Sequence, residues 1–253
     1  MKQQAQMVQD KGTVTTYAPS GNKILEETFA NGKLDGISSY WDEQGNKISQ
    51  KSYADGLLNG VAKTWYPNGQ LKTSKAYVQG QYQGNYTIWY DNGQKKLTGN
   101  MVAGHKQGKW QRWYDNGQLN AELAFDKGLA SGICTYWYKT GQQKAKGKIV
   151  ANLKQGLWTY WYDNGQKLAE GSMMSDKTEG LWTYWQEDGR KKAQGKYHLG
   201  HKQGLWTLWS ADGQHILTGK YLNDKKQGIW IEKNLTGITV SKTIYDAGNI
   251  LTK

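Results

Sequence analysis

The chain has 253 residues, of which 37% are hydrophobic, and its mean hydropathy of −0.85 is low for a protein that folds around one large core. Its 33 Lys and Arg against 21 Asp and Glu give a net charge of +12, which suits an acidic protein or an anionic surface as partner. A single cysteine rules out an intrachain disulfide framework, and no stretch is long and apolar enough for a membrane-spanning helix.

Residues 1–12 are polar and read as a disordered leading segment. Residues 13–252 read as ten tandem 24-residue β-hairpin repeats forming one repeat domain. One glycine series runs Gly12, Gly36, Gly60 and onward to Gly228. A second comprises Gly21, Gly45, Gly69, Gly93, Gly117, Gly141, Gly165, Gly189, Gly213 and Gly237. A third is Gly32, Gly56, Gly80, Gly104, Gly128, Gly200 and Gly248, with Asn152, Asp176 and Asp224 in its gaps, the residue types that best tolerate positive φ after glycine. The tryptophans keep the same phase. One column is Trp41, Trp65, Trp89, Trp113, Trp137, Trp161, Trp185 and Trp209, and a second is Trp110, Trp158, Trp182, Trp206 and Trp230.

Within a unit such as residues 157–180, Leu157–Tyr162 has strand composition, Asp163 to Gln166 a turn, and Lys167–Met173 a returning strand. Met174–Gly180 reads as a looser connection. The turn favours type I with the glycine in a bulge, because Thr140 and Gln44 also precede the glycine and Pro19 and Pro67 stand two places before it. The fold class expected is all-β: an elongated, twisted, single-layer antiparallel meander. A linked pair of positions bears on packing. Gly99, Gly147, Gly171, Gly195 and Gly219 are each followed eleven residues later by a second-column tryptophan. Glu27, Lys51, Lys75 and Leu123 at the same place are followed by Ser38, Ala62, Tyr86 and Cys134. Either an indole covers bare backbone on the preceding strand, or duplication copied both residues together. A two-residue turn puts such a pair on one face, whereas a bulged turn needs a further irregularity.

Catalytic signals are absent. The four histidines hold no metal-ligand spacing, and the triplets at Asp91, Asp115 and Asp163 read as turns, not calcium loops. No catalytic residue, metal or cofactor is expected. Cys134 reads as a small buried apolar residue, and Lys106, Lys154, Lys202 and Lys226 as connection residues on a solvated face. Side chains that vary between units are the candidates for partner binding: Tyr82, Tyr86, Arg112, Tyr136, Tyr160, Tyr184 and Arg190.

The phrases GLWTYWYDNGQKLAEG (156–171), GKWQRWYDNGQLNAEL (108–123) and GLWTYWQEDGRKKAQGKYHLGHKQG (180–204) resemble the MORN-repeat variant found in many bacterial proteins, over residues 13–252. Ser38, Ala62 and Asp42 in the first units depart from it. The resemblance implies a non-catalytic sheet of hairpins. Bacterial proteins of this variant are commonly antitoxins or immunity proteins that neutralise a toxin, and related arrays are membrane-associated scaffolds. The expected partner is an acidic toxin or effector domain, with an anionic membrane surface or a cell-envelope glycan as alternatives, no small-molecule substrate, and nucleic acid disfavoured. Cytoplasmic location is expected from the chain as written, periplasmic if a leader precedes it.

Overall fold

The computed structural model describes residues 11–252, and among them there are twenty-four β-strands and no helix. Strands pair antiparallel with their neighbours in the chain, so the fold is a meander. The chain divides into two compact units. One runs up to Leu119 together with Ala124–Gly128; the other comprises Asn120–Leu123 and everything from Leu129. Most of the leading segment expected to be disordered, residues 1–10, lies outside the described residues. Lys11 and Gly12 are strand, paired with Ala30 and Phe29.

Each unit of sequence makes two different turns. At Asp163-Asn164-Gly165 the Gly165 N–H donates to the Tyr162 carbonyl at 3.1 Å and the Tyr162 N–H to the Gln166 carbonyl at 2.9 Å. Gly165 has φ 85° while Asn164 is not among the residues with positive φ. This is the expected type I turn with the glycine in a bulge, and it recurs at Gly21, Gly45, Gly69, Gly93, Gly117, Gly141, Gly189 and Gly237.

The other connection is not loose. Ser175-Asp176 has φ 49° and 65° at its two residues, and Met174 pairs directly with Lys177. Positive φ at both central residues of a two-residue loop is the type I′ hairpin turn. Positive φ at both positions recurs from Asn31-Gly32 to Ala247-Gly248. The third glycine series and its Asn and Asp substitutes thus occupy the second turn position, where the left-handed backbone is compulsory. The returning strand then starts at Lys177 and runs to Trp185, so Gly180 lies inside it and not at the end of a connection.

A glycine inside a strand needs a reason, and the register supplies it. Gly147 pairs with Trp158 while Lys148 pairs with Gln155, leaving Gly156 and Leu157 as a bulge. Gly156 takes φ 64°, and Gly108, Gly180, Gly204 and Gly228 lie between 66° and 68°. Each of these five precedes a second-column tryptophan by two. Where that tryptophan is replaced by Ser38, Ala62, Tyr86 or Cys134, the glycine opens to φ 110°, 103°, 94° and 115°. In three of those four units, the ones with Ser38, Ala62 and Cys134, the strand is interrupted at Asp35, Asn59 and Ser131.

Candidate binding faces

Strands present alternate residues to opposite faces, and the two faces here differ sharply. In Gln143–Val150, Ala145, Gly147 and Ile149 are buried, whereas Lys144, Lys146, Lys148 and Val150 are exposed. The covered face is built by the second tryptophan column. Trp110, Trp158, Trp182, Trp206 and Trp230 are only 1–3% exposed. Each indole lies flat on the glycine of the preceding strand. A Cβ added at Gly195 would stand 2.1 Å from Cδ2 of Trp206, and the other four pairs are within 2.1–2.3 Å. Having crossed the glycine, the ring N–H donates to the next carbonyl: Trp206 to Lys196 at 3.1 Å, Trp182 to Ser172 at 2.9 Å, Trp158 to Lys148 at 3.2 Å. Cover of bare backbone is therefore the physical content of the linked positions. The Gly156-type bulge is the irregularity that brings each pair to one register. Cys134, standing in the tryptophan column, is buried as expected. Burial pushes its thiol pKa up, while its Sγ–H points to the Gly147 carbonyl.

Four of the expected partner-binding residues belong to this ring layer. Tyr160 and Tyr184 complete a stacked series Trp158–Tyr160–Trp182–Tyr184–Trp206, with centroids 5.9, 6.3, 6.0 and 6.5 Å apart and interplanar angles of 26–30°. Tyr82 and Tyr86 join Tyr77 and Trp110 in a second group at 4.7–5.8 Å, with the rings tilted or edge-on and not stacked. The Tyr184 hydroxyl donates to that of Tyr197 at 3.0 Å, and burial followed by that bond raises the Tyr184 pKa far above the ordinary phenol value. Tyr136 pairs with Ala121 and Ala145 on the neighbouring strands. Arg190 lies elsewhere. Its guanidinium binds Asp188 and the Ala211 carbonyl, clamping one type I turn to the next, which is a structural task. Arg112 is exposed.

The connection lysines are not on a solvated face. Lys106, Lys154, Lys202 and Lys226 are half-buried in strands, with Nζ 4.7, 4.5, 4.7 and 4.4 Å from the centroid of the tryptophan four residues later. A second ring flanks each at 4.8–5.5 Å: Phe125, Tyr160, Tyr221 and Tyr245. The ring quadrupoles favour these cations. No carboxylate among the described residues lies within ion-pair distance of them.

The first tryptophan column is half-buried and sits beside the type I turns. Lys47 lies between Trp41 and Trp65, at 5.2 and 5.8 Å from the two ring centres. Tyrosines bolt successive units at that end. Tyr66, Tyr138 and Tyr162 donate to the carbonyls of Trp89, Trp161 and Trp185 at 2.8, 2.8 and 3.0 Å.

Among the described residues no group of three or more His, Cys, Asp or Glu could hold a metal ion. A hollow of about 240 Å³, lined by Tyr162, Tyr184, Tyr197, Lys202 and Trp206 among others, is smaller than typical small-molecule sites. A family model described as MORN repeat variant matches residues 58–78, 106–127 and 154–173. Three segments of the chain are thus similar to the MORN repeat variant. Each matched segment contains one strand glycine, Gly60, Gly108 or Gly156, and one type I turn glycine, Gly69, Gly117 or Gly165, and the other units keep the same 24-residue phase. No curated protein matches this chain. Among solved structures, one titled "Crystal Structure of TcdB2-TccC3-Cdc42" aligns with 92% of this chain at 10% identity and a TM-score of 0.22. The chain spans 14% of that protein's length.

Proposed function

We propose that this protein is a non-catalytic binding protein for an acidic protein partner, and more specifically an antitoxin or immunity protein that neutralises a toxin domain by occlusion. One observation carries the reading: regularly repeated ammonium groups that form no ion pair. Lys106, Lys154, Lys202 and Lys226 on the ring face and Lys148, Lys196 and Lys220 on the other have no ion-pair partner among the described residues. Such a surface steers an acidic partner and discriminates against basic ones. Half-exposed Tyr and Trp rings are the residue types that anchor interfaces.

The test has two arms. Immobilised full-length protein is exposed to its host's lysate at low and high salt, and retained proteins are identified by mass spectrometry. The reading expects one acidic protein retained in both, whose production kills cells from which this gene has been deleted and spares cells that carry it. Retention of only a diffuse, salt-labile set of anionic proteins or lipids would overturn it, as would deleted cells that stay resistant to the retained protein.

A further inference from the structure

The face opposite the indoles carries an aliphatic column that the scaffold does not require. In the unit beginning at Leu129, Ile133, Leu157, Leu181, Leu205 and Ile229 recur every 24 residues and are 54–64% exposed. Their sequence neighbours Cys134, Trp158, Trp182, Trp206 and Trp230 are 1–3% exposed on the covered face. Directly across the register stand Lys148, Ser172, Lys196, Lys220 and Ile244. Exposed Val150, Met174 and Leu222 widen the same stripe. Contiguous exposed apolar surface rimmed by charge marks an interaction site.

Charge and spacing select the occupant. Successive column residues are two strands apart, about 9.6 Å. An α-helix returns to the same side every seven residues, about 10.5 Å. The two repeat lengths therefore differ by only about 1 Å per unit. Unpaired Lys148, Lys196 and Lys220 require acidic flanks on that helix. A second copy of this chain would bring lysine rows against each other.

We infer that the Leu157–Leu181–Leu205 stripe, with Lys196 and Lys220, seats an acidic amphipathic α-helix of a partner protein. This rests on the reading of an acidic protein partner and names the surface and the element it takes.

The probe is a fluorescent synthetic helix of about 21 residues, three heptads with leucine at the first and fourth positions and glutamate flanking them, titrated with the full chain at near-physiological salt. Saturable binding is expected, weakened at least about tenfold by L181D/L205D, since truncating central apolar anchors costs at least that much. The second variant, K196E/K220E, leaves the apolar groups intact. It should lose the glutamate helix and gain a lysine-flanked one. All four side chains are exposed, and circular dichroism confirms that each variant folds. Absent binding, or binding unchanged in both variants, overturns the inference. So does loss in L181D/L205D of binding to anionic phospholipid vesicles, or of a dimer, while the peptide binds unchanged. A retained acidic toxin indifferent to both variants leaves the proposed function standing and removes this seat. A peptide that obeys both variants while no toxin is found does the reverse.

Discussion

At the scale of single residues, stability is concentrated in the glycine–indole contacts. The Gly195 Cβ position is filled by the Trp206 ring at 2.1 Å, and the neighbouring atoms are a rigid indole and not a flexible chain end. Gly195→Ala should therefore cost about 1–3 kcal/mol or more through overpacking. Trp206→Ala should cost about 3–5 kcal/mol, because it strips the ring from Tyr184, Tyr197 and Tyr221 and leaves the Lys196 carbonyl without its donor. The two losses should not add. With the ring gone the alanine methyl has room, so the double variant should recover at least about 1 kcal/mol of the sum, read from urea unfolding. Additive losses would mean that the pairing is inherited and not physical. The buried phenols make a second prediction. Burial and the Tyr197 bond raise the Tyr184 pKa, and burial with the Glu27 bond pushes Tyr40 up to about 12. A raised folded value contributes stability that is complete below the ordinary phenol pKa of about 10 and is lost as pH rises through the folded value. Absorbance at the phenolate band should therefore show Tyr40 and Tyr184 neutral at pH values above the ordinary phenol pKa of about 10, until alkaline unfolding releases them together.

At the scale of the element, what could be read in the chain was what glycine and aromatic side chains report directly. Positive φ confined to Gly165 was legible because Thr140 and Gln44 precede glycine in other units, and neither residue pattern tolerates a second left-handed position well. The type I′ turn was not legible at Ser175-Asp176. Neither residue is glycine, and the bulge at Gly180 four residues later mimics the end of a loop. The Leu157 column was missed for a different reason. Alternation says which residues share a face, but without knowing that the indoles cover the other side, an exposed leucine and a buried one look alike. The same turns yield an acid prediction. Asp224, in the second type I′ position, accepts the Lys202 N–H at 2.7 Å and contacts His201 at 2.6 Å, and these bonds, the backbone one first, lower its pKa. A lowered folded value contributes above the unfolded pKa of about 4 and is lost as pH falls through the folded value. Protection of the Lys202 amide from hydrogen exchange should thus decline as pH falls below about 4. Asp224→Asn, which keeps a neutral acceptor, should flatten that decline, and Asp224→Gly should lower protection at neutral pH while leaving the turn intact.

At the scale of the whole molecule, the contacts that join units link neighbours along the chain. Trp206 touches rings of the hairpins on either side, Tyr162 bolts to Trp185, and Asp224 caps Lys202. Stability in such a molecule is a sum of unit and junction terms, not the property of a shared core. A lesion should accordingly be felt locally. In Trp206→Ala, hydrogen exchange followed by mass spectrometry should quicken in peptides covering residues 177–234 and remain unchanged in those covering 11–102. Uniform acceleration along the chain would show a globally cooperative fold. The distinction bears on binding, because local cooperativity lets the exposed face vary unit by unit without loss of the layer beneath it. Asn85 and Lys109 already replace the aliphatic residue in two units whose covered faces keep Tyr86 and Trp110 in the ring layer. An array in which the indole face holds the fold and the opposite face is free to change is suited to acquiring a partner. The Leu181 and Lys196 variants separate those two tasks: they should abolish recognition while leaving the urea midpoint within that of the unaltered protein.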